Sequence, residues 1–273
     1  MTNEEPTSPA NPPAGELLSR NGFVARRYRP EDRQAVRDIC AATCWMGQPC
    51  PGLTPDDWVW AEVWTRYHTD VRPELAYVIE RSTGILPVST SAVSPTCCEN
   101  RGQAPFSPNG NDGEKGASPH FRVVGYLTGT PDQREADRYV LRLLPGIVMH
   151  IIRAKLMRQS QPRRACMSFL RTLLSGELAC PKAILRDYPA TMHVNLLPEA
   201  RGCGLGGAMV ELLMADLRAL GVRGLHGEPL SINAAVAKMH ARMGFRLVHG
   251  RPTRAFWHVT RRKIEIQTWV RDL

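Results

Sequence analysis

The segment Arg201-Gly202-Cys203-Gly204-Leu205-Gly206-Gly207 constrains this chain more than any other stretch, because of what stands on either side of it. Ahead of it runs the apolar, strand-like Met192-His193-Val194-Asn195-Leu196-Leu197; behind it Leu205, Met209, Leu212, Leu213, Leu217 and Leu220 recur at steps of three and four. That spacing gives a helix one apolar face, and Gly221 closes it. A strand, a glycine loop and an amphipathic helix in this order leave backbone amides open at a helix N-terminus, with the positive end of the helix dipole behind them and no Cβ in the way. The pattern predicts a cradle for anionic oxygens.

Gly202, Gly204 and Gly207 also satisfy G-x-G-x-x-G, the dinucleotide fingerprint. Against that reading, Pro198-Glu199-Ala200-Arg201 separates strand from glycines, and an arginine leads the loop. Further on, Asn233 opens a short helical stretch through Ala237 and His240 to Gly244-Phe245, and Arg246-Leu247-Val248 reads as a strand. In this order the chain resembles the Gcn5-related N-acetyltransferase (GNAT) superfamily, whose acetyl-CoA loop reads Arg/Gln-x-x-Gly-x-Gly/Ala. Arg201, Gly204 and Gly206 occupy those positions, and Asn233 and Gly244-Phe245 match the segment that follows. His240 stands where that superfamily usually has a Tyr, a departure at the residue that protonates the leaving thiolate. The match is strongest over residues 190–248, with fainter echoes at Arg26 to Asp32 and Phe121 to Leu127.

The resemblance implies a single α/β domain over residues 22–273, with a mixed, mostly antiparallel central sheet flanked by helices. It implies acetyl-CoA as acetyl donor, bound by the backbone at Leu196 and Leu197, the loop Arg201, Gly202, Cys203, Gly204, Leu205 and Gly206, and Asn233. It implies direct attack of an acceptor amine, from a small molecule or a peptide, on the thioester. His240 is the candidate for protonating the thiolate and His193 for receiving the amine's proton, with Glu199 and Glu228 as lesser candidates. A second reading of the same fold is a catalytically silent acyl-CoA-binding or protein-interaction module, prompted by the missing Tyr. Each histidine also reads as a structural residue.

Length and charge agree with one domain: the chain has 273 residues, 43% hydrophobic, and a formal net charge of +9, enough for one ordinary core. From Arg242 to the C-terminus there are eight Arg/Lys against two Asp/Glu. Such a bias suits an anionic ligand. Nucleic acid is disfavoured as a partner because no zinc-finger or RNP signature accompanies the charge. The polar, acidic start Met1-Thr2-Asn3-Glu4-Glu5-Pro6 lacks a signal peptide, which makes a reducing cytoplasm the expected location. Cys40, Cys44 and Cys50 have no CxxC pairing or nearby His to complete a zinc site, so no metal is expected and the cysteines read as thiols. No apolar run approaches membrane-spanning length.

Along the chain, residues 1–21 read as a disordered tail, with order starting near Phe23. Pro30 introduces a helix carrying Ala35, Val36, Ile39 and Cys40 on its inner side. Thr54-Pro55-Asp56-Asp57 caps a second, with Trp58, Ala61 and Trp64 on one side. Trp60, Trp64, Tyr67 and His68 in this region read either as core or as lining for the acceptor. Leu75 to Glu80 and Phe121 to Leu127 form a hairpin once residues 82–119, rich in Ser, Pro, Asn and Gly, are treated as a flexible insertion. Residues 131–178 are a helical elaboration broken at Pro145-Gly146. Phe256 to Val259 and Ile264 to Val270 look like strands that complete the sheet or pair across a homodimer; a monomer is equally compatible.

Overall fold

The computed structural model describes residues 16–49, 58–82, 121–156, 179–254 and 256–273. Their strands make one sheet in the order β1-β2-β3-β4-β5-β6-β8-β7. These are Glu16–Arg20, Phe23–Arg27, Ala76–Ser82, Phe121–Thr130, Ala190–Leu196, Gly224–Gly227, Arg246–Thr253 and Ile264–Asp272, numbered β1 to β8 along the chain. Every neighbouring pair is antiparallel except β5 and β6. The sheet is therefore mixed and mostly antiparallel, as the resemblance implies, and unlike the mostly parallel sheet of a dinucleotide fold.

Strand alternation builds two cores, because successive side chains leave opposite faces of a sheet. On one face Phe23, Tyr77, Ile79, Leu127 and Leu225 pack against Leu205, Met209, Leu213 and Leu217 of the helix Leu205–Ala219. On the other, Tyr28, Ala76, Val78 and Tyr126 meet Val36, Ile39 and Cys40 of α1 (Arg33–Thr43). The helical periodicities read in the sequence are thus the buried stripes. Only the last position drifts off: Leu220, just past the helix end, is 59% exposed.

Three expectations are corrected, on the tail, on Phe256 to Val259 and on the break at Pro145, and two that were left open, on the helix at Trp58 and on β8, are decided. The tail does not extend to residue 21: Glu16–Arg20 is β1, paired with β2 across Asn21 and Gly22, whose φ values are +53° and +78°. Two consecutive positive φ angles are what a two-residue hairpin of matching twist needs, and Asn-Gly is its strongest sequence signal. The α2 helix (Trp58–Asp70) buries Trp60 and Tyr67 rather than Trp58 and Trp64, both more than a third exposed. Phe256 to Val259 is not a strand: Trp257–Thr260 is one helical turn. β8 lies inside the sheet with both edges paired, to β6 and β7, so it has no edge to offer a second chain.

The third correction is α3, Gln133–Leu156, which runs through Pro145 unbroken. A proline inside a helix loses one hydrogen bond and crowds the preceding turn, at about 3 kcal/mol. What offsets this is packing on both sides of the proline: Leu143, Ile147 and Ile151 share one contact with Val59 and Val63 of α2. Because Pro145 itself is exposed, Pro145→Ala should restore the hydrogen bond without disturbing that contact. Stability should rise by up to about 3 kcal/mol, read as a higher melting temperature; an unchanged or lower one would mean the helix is built around the proline. The remaining calls on residues 1–15, 50–57, 83–120 and 157–178 lie outside the described residues. The flanks of the proposed insertion do pair, with Ser82 opposite Phe121. Among the described residues, Cys40, Cys44, Cys180 and Cys203 are thiols rather than disulfides, and no helix is long and apolar enough to cross a membrane.

Candidate active site

The site begins where the sheet's one parallel ladder ends. β5 pairs with β6 only at Ala190↔Leu225 and Thr191↔His226. On its other edge β5 continues against β4 from Thr130↔Thr191 to Gly125↔Leu196. Beyond Thr191 the edge of β5 that faces β6 is released from pairing with it, and a slot opens between the two strands. The Leu197 amide donates to the Val124 carbonyl at 2.8 Å, whereas the Leu196 carbonyl accepts from Arg201 Nε at 2.9 Å on the opposite side. Since backbone groups alternate sides along a strand, the Leu196 amide points into the slot and that of Leu197 does not. Of the two backbone candidates only Leu196 can serve a ligand there.

At the mouth of the slot a short turn, Pro198–Ala200, leads to Arg201. The Arg201 guanidinium does not face outward: it also donates to the Gly47 carbonyl at 2.7 Å, tying the end of β5 to the loop after α1. Burial lowers its pKa from the ordinary arginine value. Arg201 therefore shapes the loop more than it charges it. Gly204 caps the helix α5 (Leu205–Ala219) with φ +72° and no side-chain capping bond. The first helical bond is donated by Ala208 to Gly204 at 3.2 Å, so the amides of Leu205, Gly206 and Gly207 have no acceptor within the helix. Three such amides at the positive end of a helix dipole are the features of an anion site. The cation beside them is Arg20: a Cβ on Gly204 would lie 2.7 Å from its Nη1. Cys203 turns its sulfur to the Arg201 carbonyl at 3.5 Å, leaving only its backbone to the loop.

Asn233 sits at the N-terminus of α6 (Ala234–Arg242), where its side-chain oxygen accepts from the Val236 amide at 3.3 Å. Its role in the structure is that of a helix cap. His240, on the same helix, is 2% exposed. Its ring stacks on Phe245 at 4.8 Å and leans on Trp269 at 5.9 Å, and it presses on Gly227, where a Cβ would meet Cε1 at 2.8 Å. Nδ1 has no hydrogen-bond partner, and burial pushes the pKa down to about 4. The expectation that His240 protonates a thiolate is not supported by this environment. At neutral pH the imidazolium is scarcely populated, and the ring is packing between α6 and the sheet.

His193 is placed differently. Met192, Val194 and Leu196 face the α5 core, so His193 and Asn195 project from the opposite face. There Trp64 of α2 stacks parallel on His193 at 5.3 Å and 9°, with Tyr126 at 6.0 Å. The Asn195 amide nitrogen lies 2.8 Å from the Tyr126 hydroxyl and 3.0 Å from His193 Nε2. An amide nitrogen only donates, so Nε2 accepts and the imidazole proton belongs on Nδ1. Burial, then the neighbouring His68, lowers the His193 pKa to about 4, which keeps the ring neutral at pH 7. His68 is itself buried with Nδ1 3.0 Å from the Gly129 carbonyl. The structure thus gathers the loop, Leu196 and Arg20 on one side of β5, and His193, Asn195, Tyr126 and Trp64 on the other. His240 joins neither group. Arg20 and Gly47 were missed in the sequence because each arrives from a distant segment, whereas Trp64 had been read as core or as acceptor lining; Asn21-Gly22 was the one signal that would have brought Arg20 in. Of the lesser candidates, Glu199 lies near Arg122 at 3.8 Å and Glu228 is held by Arg251 at 2.8 Å.

A mixed sheet whose one parallel pair parts above a glycine-rich helix N-terminus defines a class of α/β fold. Strand order, the site of the parting and the loop that follows β5 give this chain the GNAT fold. The solved structure named SsHAT superposes with a TM-score of 0.58 at 23% identity, covering 92% of this chain and 98% of that one. Looser matches include a Drosophila melanogaster polyamine N-acetyltransferase, at 16% identity, 92% and 100% coverage and TM-score 0.49. Another is a GNAT superfamily phosphinothricin acetyltransferase from Sinorhizobium meliloti in complex with AcCoA, at 16% identity, 92% and 89% coverage and TM-score 0.47. At these identities the likeness is one of fold. No family model matches the sequence.

Proposed function

We propose that the protein is an acetyl-CoA-dependent N-acetyltransferase acting on an amine of a small molecule or peptide. The observation that carries the reading is the pairing of an open β5 edge with three unshared amides at the α5 N-terminus. Coenzyme A carries a pantetheine arm with two amides, joined through a pyrophosphate to a phosphorylated adenosine, and a strand edge and a helix N-terminus are the two backbone devices that suit the amides and the pyrophosphate. Leu205, Gly206, Gly207 and Arg20 are the groups suited to the phosphates. The Leu196 amide, pointing into the slot, is the donor suited to a developing oxyanion. Acetyl-CoA supplies an activated acyl carbon; the amine nitrogen forms the new C–N bond as the C–S bond breaks, and the amine's proton leaves as the thiol is released.

His193 is the group proposed to handle that proton. It is neutral at working pH and held under Trp64; because Nε2 accepts from the Asn195 amide in the structure, taking the proton there requires Asn195 to turn aside when the amine binds. Its pKa near 4 means that it would pass a proton on to water rather than keep it. The test is to follow thiol release against a panel of amines with wild type and His193→Ala. Loss of kcat by about 100-fold with KM little changed would fit general-base assistance of ordinary size; an unchanged kcat would remove His193 from the chemistry. The silent acyl-CoA-binding reading has one observation in its favour, the packing role of His240 at the position of the usual acid. It predicts binding of acetyl-CoA with no amine acetylated.

A further inference from the structure

Cys180, His226 and Glu228 meet in a part of the fold that the proposed chemistry does not use. Each offers one ligand atom, and the three atoms lie within 4.8 Å of one another. Cys180 stands just before the helix α4 (Lys182–Asp187), and His226 and Glu228 lie on and just after β6. His226 is the last β6 residue paired with β5. Leu225 faces the α5 core, so His226 projects from the other face, the one that carries His193. We infer that these three side chains form a binding site for a divalent cation of zinc's class, with the fourth position left to water.

The donor set is the first argument. A thiolate, an imidazole and a carboxylate form a mixed soft and borderline set of the kind zinc accepts, and three protein ligands with one open position is a familiar zinc arrangement. Tetrahedral zinc needs ligand atoms roughly 3.3–3.7 Å apart, given bond lengths of about 2.0–2.3 Å. Closing from the observed spread takes about an ångström of side-chain movement.

The second argument is the set of groups behind the ligands. His226 Nδ1 lies 2.8 Å from the Tyr188 carbonyl. A carbonyl only accepts, so the proton sits on Nδ1 and the lone pair on Nε2, the usual outer support of a metal-bound imidazole. Arg251 and Thr268 both donate to Glu228 Oε1, at 2.8 and 3.2 Å, which fixes the carboxylate and leaves the lone pairs of its second oxygen. Asp137 of α3, held by Gln133 at 2.6 Å, interacts electrostatically with Glu228 and His226 and adds negative charge. Burial, with Glu228 beside it, raises the Cys180 pKa, and burial lowers that of His226. A protonated thiol and a neutral imidazole are the metal-free states; a cation would displace the thiol proton. In the sequence Cys180 stands more than forty positions before His226 and Glu228, so no spacing rule reports the three together. The expectation of no metal weighed Cys40, Cys44, Cys50, Cys97, Cys98 and Cys203 but not Cys180.

Cobalt(II) is the probe, titrated into the reduced, chelator-treated full chain. The expected result is saturation at one equivalent, with the intense visible bands of tetrahedral cobalt and a near-ultraviolet thiolate-to-cobalt band, both erased by zinc. Cys180→Ser should lose the thiolate band while melting in chelator as wild type does. Glu228→Gln, nearly isosteric, should weaken binding by about tenfold or more and serves as the second variant if Cys180→Ser fails to fold. No saturable binding, or a thiolate band that persists in Cys180→Ser because another cysteine supplies it, would overturn the site. The readout does not depend on acetyl transfer, so it stands or falls apart from the proposed activity.

Discussion

Gly204→Glu should abolish acetyl-CoA binding in calorimetry, weakening it by about 100-fold or more, while Gly206→Ala should bind within about threefold of wild type. Three effects act at Gly204, one of them a clash of the new Cβ, 2.7 Å from Arg20 Nη1, which displaces the cation of the site. The glycine's φ of +72° lies in the left-handed region, where a side chain costs about 1–2 kcal/mol. The new carboxylate would also sit beside the three open amides and repel a phosphate; about 1.4 kcal/mol is each further tenfold in affinity. A Cβ at Gly206 would instead lie 3.6 Å from Leu196 and 3.8 Å from Met239, ordinary contact distances. The motif position therefore tolerates Ala for a visible steric reason. Binding by Gly204→Glu as tight as wild type would mean that the anion site is elsewhere and that the loop before α5 is not the acetyl-CoA cradle.

Acidification should unfold the protein well before its carboxylates are protonated. His68 and His240 are buried, each with a pKa lowered by burial to about 4 from 6.5. Between those values the unfolded chain takes protons that the folded one refuses. Stability from these groups is therefore whole above about pH 6.5 and is lost as pH falls toward 4. At about 1.4 kcal/mol per pKa unit, each contributes roughly 3 kcal/mol of loss, and the two together rival the whole stability of an ordinary domain. His240→Phe should flatten the fall in melting temperature between pH 6.5 and 4.5, because Phe keeps the stack on Phe245 and has no proton to take up. An equally steep fall in the variant would show that His240 is solvated.

What could be read from residue order was whatever depends on near neighbours. The α5 stripe, the loop ahead of it, the β3 and β4 strands and the Asn233 cap each consist of residues within a turn or a strand of one another. Their periodicity is the physical cause of their structure. Even the local errors have local reasons. Asn21-Gly22 is a hairpin signal that composition of the tail obscured, and Pro145 is a helix breaker overruled by Ile147 and Ile151 packing against Val59.

Contacts between distant segments were a different matter. His193 and His240 are both histidines beside apolar residues, and nothing in the order of residues says that one stacks under Trp64 and the other is sealed by Phe245 and Trp269. Leu196 and Leu197 are chemically alike and adjacent, yet only pairing with β4 reveals whose amide is spent. The sequence held the loop's glycines, the helix faces and the likeness to a fold, because those follow from chain stereochemistry over a few residues. Where β5 and β6 part, which histidine lies under Trp64, and that Cys180 meets His226 and Glu228, depend on side chains brought together by the assembled sheet.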